Sequence, residues 1–109
     1  MMRASELDGL RQSIQDQAHQ LAVCLLPKLE AYLAYKQVRH DLLTKRYERV
    51  ERKTENITDP MTERSQKLLA EYERLSEQHA RSEEELDDLE NLVLEPLREA
   101  QDVLERLVG

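Results

Sequence analysis

Apolar residues recur every three or four positions along most of the chain, with polar residues between them. Counting by four and then three from Met61 gives fourteen positions, of which ten are apolar. These positions are Met61, Ser65, Leu68, Tyr72, Leu75, His79, Ser82, Leu86, Leu89, Val93, Pro96, Ala100, Val103 and Leu107. Counting backward from Ile57 gives Thr54, Val50, Tyr47 and Leu43 at the same spacing. This spacing is typical of long helices that pack along one seam.

A reversal of the chain is predicted at Asp59-Pro60. Asp is a favoured helix N-cap, and proline suits the first helical position because its missing N–H would have no partner there. Proline also disfavours helical geometry in the residue before it. We therefore predict one helix over about residues 5–57 and a second over about 60–108, within a single helical domain, 1–109.

The two predicted helices have matching seams. If the chain folds back between residues 58 and 60, Ile57 faces Met61, and Tyr47 lies beside Tyr72. Likewise Val50 faces Leu68, Leu43 meets Leu75, and the polar Thr54 meets Ser65. The predicted fold is an all-α, long antiparallel helical hairpin of coiled-coil type.

Pro27 and Pro96 fall at nearly the same height in this hairpin. A proline inside a helix removes one backbone hydrogen bond and kinks or breaks the helix. No glycine or turn cluster accompanies either proline, so we predict kinks near both. The alternative is a break near Pro96, which would give a three-helix bundle.

Composition narrows the class of protein. Only 2 of the 109 residues are glycine, and none lies between residues 10 and 108, which excludes a substantial β-sheet with its tight turns. The net charge of -7 disfavours nucleic-acid or anionic-membrane binding. The single Cys24 lies in an apolar run and is predicted to be a small buried side chain in a reducing compartment.

The segment 21–35 is apolar around its whole circumference. Pro27, Lys28 and Glu30 interrupt it, and it is too short to cross a bilayer, so we expect a cytoplasmic protein without a membrane span. One partner helix covers only one stripe of such a surface, so association with a protein is predicted through 21–35 and 86–97. The predicted partner-binding residues are Leu21, Leu25, Leu29, Tyr32, Tyr35, Leu86, Leu92, Leu94 and Leu97. A homodimer and a heteromeric coiled-coil complex both satisfy this prediction.

His40 and His79 come together in the hairpin register. With Asp41 they could supply three metal ligands, but they lack the helical ligand spacing of metal-binding bundles. A polar layer that sets the register of the two helices is the preferred reading. No catalytic, cofactor-binding or metal-binding residue is assigned.

Two charged segments also have simple readings. The basic stretch from Lys36 to Lys53 is expected to pair with Glu71, Glu73 and Glu77 on the opposite helix. The acidic run 82–90 is expected to be a solvated face, with docking of a basic partner as the alternative.

In its size, helix order and the ending "LREAQDVLERL", the chain resembles the tubulin-folding cofactor A family. It resembles compact subunits of tethering, trafficking or kinetochore assemblies equally well. The first hypothesis is therefore a non-enzymatic scaffold or adaptor subunit. The alternative is a chaperone-like cofactor for a folding partner such as tubulin, and a metal-dependent helical-bundle enzyme is a remote third.

Overall fold

The computed structural model describes residues 3–108, and no strand occurs among them. The first arm comprises α1 (Ala4–Gln20), a π-helical turn (Leu21–Leu25) and α2 (Leu26–Glu55). The second arm comprises α3 (Glu63–Asp88), another π-helical turn (Leu89–Leu94) and α4 (Glu95–Val108). The two arms contact each other as an antiparallel hairpin, which confirms the predicted fold class.

The chain forms two compact units. One contains residues 34–87, and the other contains residues 1–33 with 88–109. We call them the turn unit and the terminal unit.

In the turn unit, α2 and α3 meet along the predicted seam. Val50 and Leu75 are buried, and Leu43, Tyr47 and Leu68 are half-buried. The ring centroids of Tyr47 and Tyr72 are 5.5 Å apart, which confirms the predicted pairing of these residues. At the edge of this seam Arg46 contacts Glu71 at 3.3 Å, as expected for the basic segment.

The connection between α2 and α3 is longer than the sequence predicted. The Asp59 carboxylate accepts a hydrogen bond from the Met61 amide at 3.0 Å, so Asp59 stabilises a turn instead of capping a helix. Thr62 provides the N-cap, because its hydroxyl accepts from the Ser65 amide at 3.1 Å. As a result α3 begins at Glu63, and Met61, predicted to open the seam, is 77% exposed.

One residue separates each π-helical turn from a proline, Leu26 before Pro27 and Glu95 before Pro96. The closing hydrogen bond of each turn spans five residues, from the Leu26 amide to the Leu21 carbonyl and from the Glu95 amide to the Glu90 carbonyl. A proline cannot donate to the carbonyl four residues earlier, and its ring crowds that carbonyl, so a wider turn relieves both problems. Leu26 and Glu95 keep right-handed helical dihedral angles. The helix therefore passes through Pro96 without the break that the three-helix alternative required.

The extra residue in each π-helical turn rotates the following helix by about 100° relative to a regular α-helix. At the end of the second turn Leu94 is fully buried, and beyond it Leu97 and Leu104 are half-buried. The heptad count had placed Val93 and Val103 in the seam, but they are 37% and 51% exposed. The predicted seam is therefore wrong beyond Leu89, by one residue.

The same shift occurs on the first arm. Stepping back from the buried Leu26 by the heptad spacing reaches His19, which is exposed. Its neighbour Ala18 is buried instead, and Ile14 is half-buried. The π-helical turns thus allow the apolar faces of α1 and α4 to meet, and these two helices contact each other in the terminal unit.

Arg98 links the two arms in the terminal unit. Its guanidinium lies 2.6 Å from the Glu90 carboxylate, 3.4 Å from Glu95 and 3.5 Å from Glu30. The hydrogen bond to Glu90, above all, raises the pKa of Arg98. One cation therefore connects the start of the second π-helical turn to α2.

We expect Leu75→Ala to lower the free energy of unfolding by about 2–5 kcal/mol, because Leu75 is fully buried and its truncation leaves a cavity. Urea unfolding followed by circular dichroism measures this. The matched control is Leu42→Ala on α2, where the side chain is 62% exposed, and its effect should stay within about 0.5 kcal/mol. Equal effects of the two substitutions would contradict the packing described here.

Deleting Leu92 should be tolerated better than deleting Ala80, although both side chains are exposed. The first deletion removes the extra residue of the π-helical turn, which costs the relief that this turn gives to Pro96 but keeps Leu94 and Leu97 facing inward. The second falls in a regular α-helix and rotates the remainder of α3 by about 100°. Thermal unfolding of both variants provides the comparison. A lower midpoint for the Leu92 deletion would refute this account of the phase shift.

Candidate protein-interaction surface

The first π-helical turn exposes most of its apolar side chains. Val23 is 54% exposed and Leu25 is 45% exposed, and Cys24 between them is exposed as well. We call Val23, Cys24 and Leu25 the first patch. Cys24 is thus not the buried side chain that the sequence predicted, because the widened turn directs Leu21 and Ala22 toward the core instead.

A shallow apolar groove of about 400 Å³ runs beside the first patch. Its lining residues lie on one face of α1 and the π-helical turn. They are Asp16, Gln17, Gln20, Leu21, Cys24 and Leu25. Asp16 accepts a hydrogen bond from Gln12 at 2.9 Å, so the one charged group in the lining is already engaged.

The second π-helical turn forms a comparable feature. Leu92 is 71% exposed and Val93 is 37% exposed, and we call this pair the second patch. The turn buries Leu94 and leaves the two residues before it outside. Both patches therefore arise from the same local geometry, in which an apolar run is wound too widely for every side chain to face the core.

The structure places the predicted partner-binding residues in three classes. Leu25, Tyr32, Tyr35 and Leu92 are exposed. Leu21, Leu29, Leu86 and Leu97 are half-buried. Leu94 is fully buried among residues of the chain itself, so its assignment to a partner surface is corrected. The phase shift at the second π-helical turn is the reason.

The sequence count missed two exposed apolar residues on α2. Val38 is 59% exposed and Leu42 is 62% exposed. Their spacing from Tyr35 is three and then four residues, so the signal was present in the sequence. The row that faces α3, with Leu43, Tyr47 and Val50, already accounted for the apolar periodicity of this helix, so a second row was not predicted.

A layer of stacked rings lies between α2 and α3. The ring centroids of His40 and His79 are 4.8 Å apart, as the hairpin register predicted, and Tyr47 stacks on His79 at 5.2 Å. Thr44 donates its hydroxyl hydrogen to the His40 carbonyl, so at 2.9 Å it accepts from the Nε2–H of His79. The Ser82 hydroxyl lies 2.9 Å from His40 Nδ1. These side-chain contacts hold the two helices in one register.

A metal site has no support in this layer. Among residues 3–108, no group of three or more His, Cys, Asp or Glu side chains is arranged to hold a metal ion. Asp41, the third ligand considered from sequence, accepts a hydrogen bond from Gln37 instead.

The layer continues into a pair of hydrogen-bonded tyrosines. The hydroxyls of Tyr47 and Tyr72 are 3.2 Å apart, and the Tyr72 hydroxyl lies 3.3 Å from the Glu51 carboxylate. The hydrogen bond with Tyr47, partial burial and the nearby carboxylate together raise the pKa of Tyr72 to about 12. The neutral phenol is therefore the form that the folded chain stabilises.

No helix among the described residues is both long and apolar enough to cross a membrane. Comparison of the chain with models of known protein families, with characterised proteins and with solved structures finds no match. The resemblance to the folding cofactors therefore stays a prediction, and a functional proposal depends on the surfaces described above.

The raised pKa of Tyr72 predicts a loss of stability in strong alkali. The ordinary pKa of tyrosine is 10.0, so between pH 10 and about 12 the folded chain holds a proton that the unfolded chain has lost. The free energy of unfolding therefore falls as the pH rises through this range. NMR titration of ring-labelled tyrosine measures the pKa, and urea unfolding at each pH measures stability. In Tyr47→Phe the pKa of Tyr72 should move toward 10; an unchanged titration in this variant would show that the pair does not cause the shift.

Proposed function

We propose that this protein is a non-enzymatic helical interaction module, a scaffold or adaptor subunit that binds another protein through residues 21–35 and 86–97. The observation that carries the proposal is the exposure of Val23, Leu25 and Leu92 on the π-helical turns, at 54%, 45% and 71%. Adjacent exposed apolar side chains mark sites of association, since their burial is favourable by roughly 25 cal/mol per Å².

The backbone geometry supports the same location. π-helical turns are rare and are often found at functional sites. Here they expose the first and second patches while the intervening core of the terminal unit stays closed, with Ala18, Leu26 and Leu94 buried. The exposed apolar groups are therefore not a consequence of a missing core.

Charge favours a different protein as partner over a second copy of the chain. The segment 86–97 bears exposed carboxylates at Asp87, Asp88 and Glu95 and contains no Lys or Arg, and the whole chain has a net charge of -7. Two copies joined through this region would bring like charges together. A heteromeric helical partner avoids that cost.

A chaperone-like cofactor is the second candidate, and the same exposed patches support it. The two functions differ in the lifetime of the complex. A scaffold subunit stays bound to its partner through purification, whereas a cofactor releases a partner that has folded. Dissociation rates measured with the purified partner distinguish them.

We expect Leu25→Asp and Leu92→Asp to remove the partner, because each places a charge in a surface that must be desolvated on binding. Tagged protein is purified from its native cell and co-purifying proteins are quantified by mass spectrometry. Leu107→Asp is the matched control, since Leu107 is 64% exposed but lies outside both segments.

The amount of co-purified partner should fall at least about tenfold in the two patch variants and stay unchanged in the control. The melting temperatures of all three variants should match that of the unsubstituted chain. If Leu25→Asp lowers the stability of the free chain but leaves association intact, the interface assignment is wrong. Light scattering on the purified chain tests self-association separately.

A further inference from the structure

α2 carries a second row of apolar residues, beside the row that faces α3. Tyr35, Val38 and Leu42 are spaced by three and four residues and are 55%, 59% and 62% exposed. At about 100° per residue, the middle of this row lies about 110° around the helix from the middle of the row formed by Leu43, Tyr47 and Val50. The row therefore has the spacing of a coiled-coil seam but no helix of the turn unit against it.

The row continues with cations at the same spacing. Lys45, Arg49 and Arg52 follow Leu42 by steps of three, four and three residues, and all three side chains are exposed. None of them contacts a carboxylate among residues 3–108, whereas Lys36 and Arg46 on the same helix do. We call the six residues from Tyr35 to Arg52 in this row the outer seam.

The borders of the outer seam carry charges of both signs. Arg39, Arg46 and Lys53 line one side, and Asp41 and Glu48 line the other. The outer seam is thus apolar at its N-terminal half and strongly cationic at its C-terminal half, in a chain whose net charge is -7.

We propose that the outer seam binds an acidic amphipathic helix of another protein. The apolar residues of that helix pack on Tyr35, Val38 and Leu42, and its carboxylates pair with Lys45, Arg49 and Arg52. The outer seam contains no carboxylate, so a second copy of it cannot neutralise these cations, whether the two helices pack parallel or antiparallel. Tyr35 also belongs to the segment 21–35, but the other five residues of the outer seam lie outside both interface segments of the proposed function, so the chain would join two partners.

Two designed helical peptides test the proposal on the full-length chain. Both carry leucine at the seam positions of their first two heptads. At the seam positions that follow, one carries glutamate and the other lysine. In fluorescence anisotropy the glutamate peptide should bind about tenfold more tightly, because three surface ion pairs each contribute a few-fold in affinity. The preference should shrink at about 1 M salt, where charges are screened within about 3 Å.

Substitutions in the chain make the test specific. Leu42→Asp should weaken binding of the glutamate peptide at least tenfold, and the double variant Lys45→Glu/Arg49→Glu should reverse the preference in favour of the lysine peptide. Leu69→Asp is the control, because Leu69 is 39% exposed on α3, away from the outer seam. Circular dichroism melting of each variant verifies folding.

Three results would overturn the proposal. The first is equal affinity for the two peptides, and the second is an unchanged preference in the double variant. The third is self-association of the free chain that Leu42→Asp abolishes, which would assign the outer seam to a second copy. Leu25→Asp should leave peptide binding unchanged. A negative result for the outer seam can therefore be told apart from a negative result for the interface proposed at the first and second patches.

Discussion

The missing N–H groups of Pro27 and Pro96 are the constraint on which the arrangement of the terminal unit depends. Each proline leaves a carbonyl without its usual donor, and in each case the chain responds with a π-helical turn that closes at the residue before the proline. The extra residue rotates the adjoining helix by about 100°. Leu94 consequently enters the core while Leu92 and Val93 stay outside. The core of this unit and its candidate interaction surface therefore have one origin.

The turn unit is held by a different balance of forces. Its fully buried apolar side chain is Leu75, with Val50 nearly so, and between the helices it relies on stacked histidines and tyrosines. Polar contacts such as Thr44 with His79 stabilise one register more than they add to the free energy of folding. A thin helical pair of this kind has little interior, which explains why α2 can carry an exposed apolar row beside its packed one.

The candidate surfaces could be located from sequence only in part. The apolar density of residues 21–35 marked the first patch, because so many apolar side chains cannot all face one partner helix. Leu94 was wrongly included, since the count assumed a regular α-helix through Pro96. Val38 and Leu42 were missed for another reason: their spacing was visible, but which of two rows on α2 faces α3 depends on the packing between the helices.

The sequence by itself determined the hairpin, its reversal near Asp59-Pro60 and the pairing of Tyr47 with Tyr72, because these follow from local turn chemistry and from a heptad spacing unbroken through the turn unit. Only the tertiary structure decided which faces of α1 and α4 point toward the core. A proline in a helix can be accommodated by a kink, a break or a wider turn. The choice was made by whether Ala18 and Leu94 could be buried, which is a property of the assembled unit.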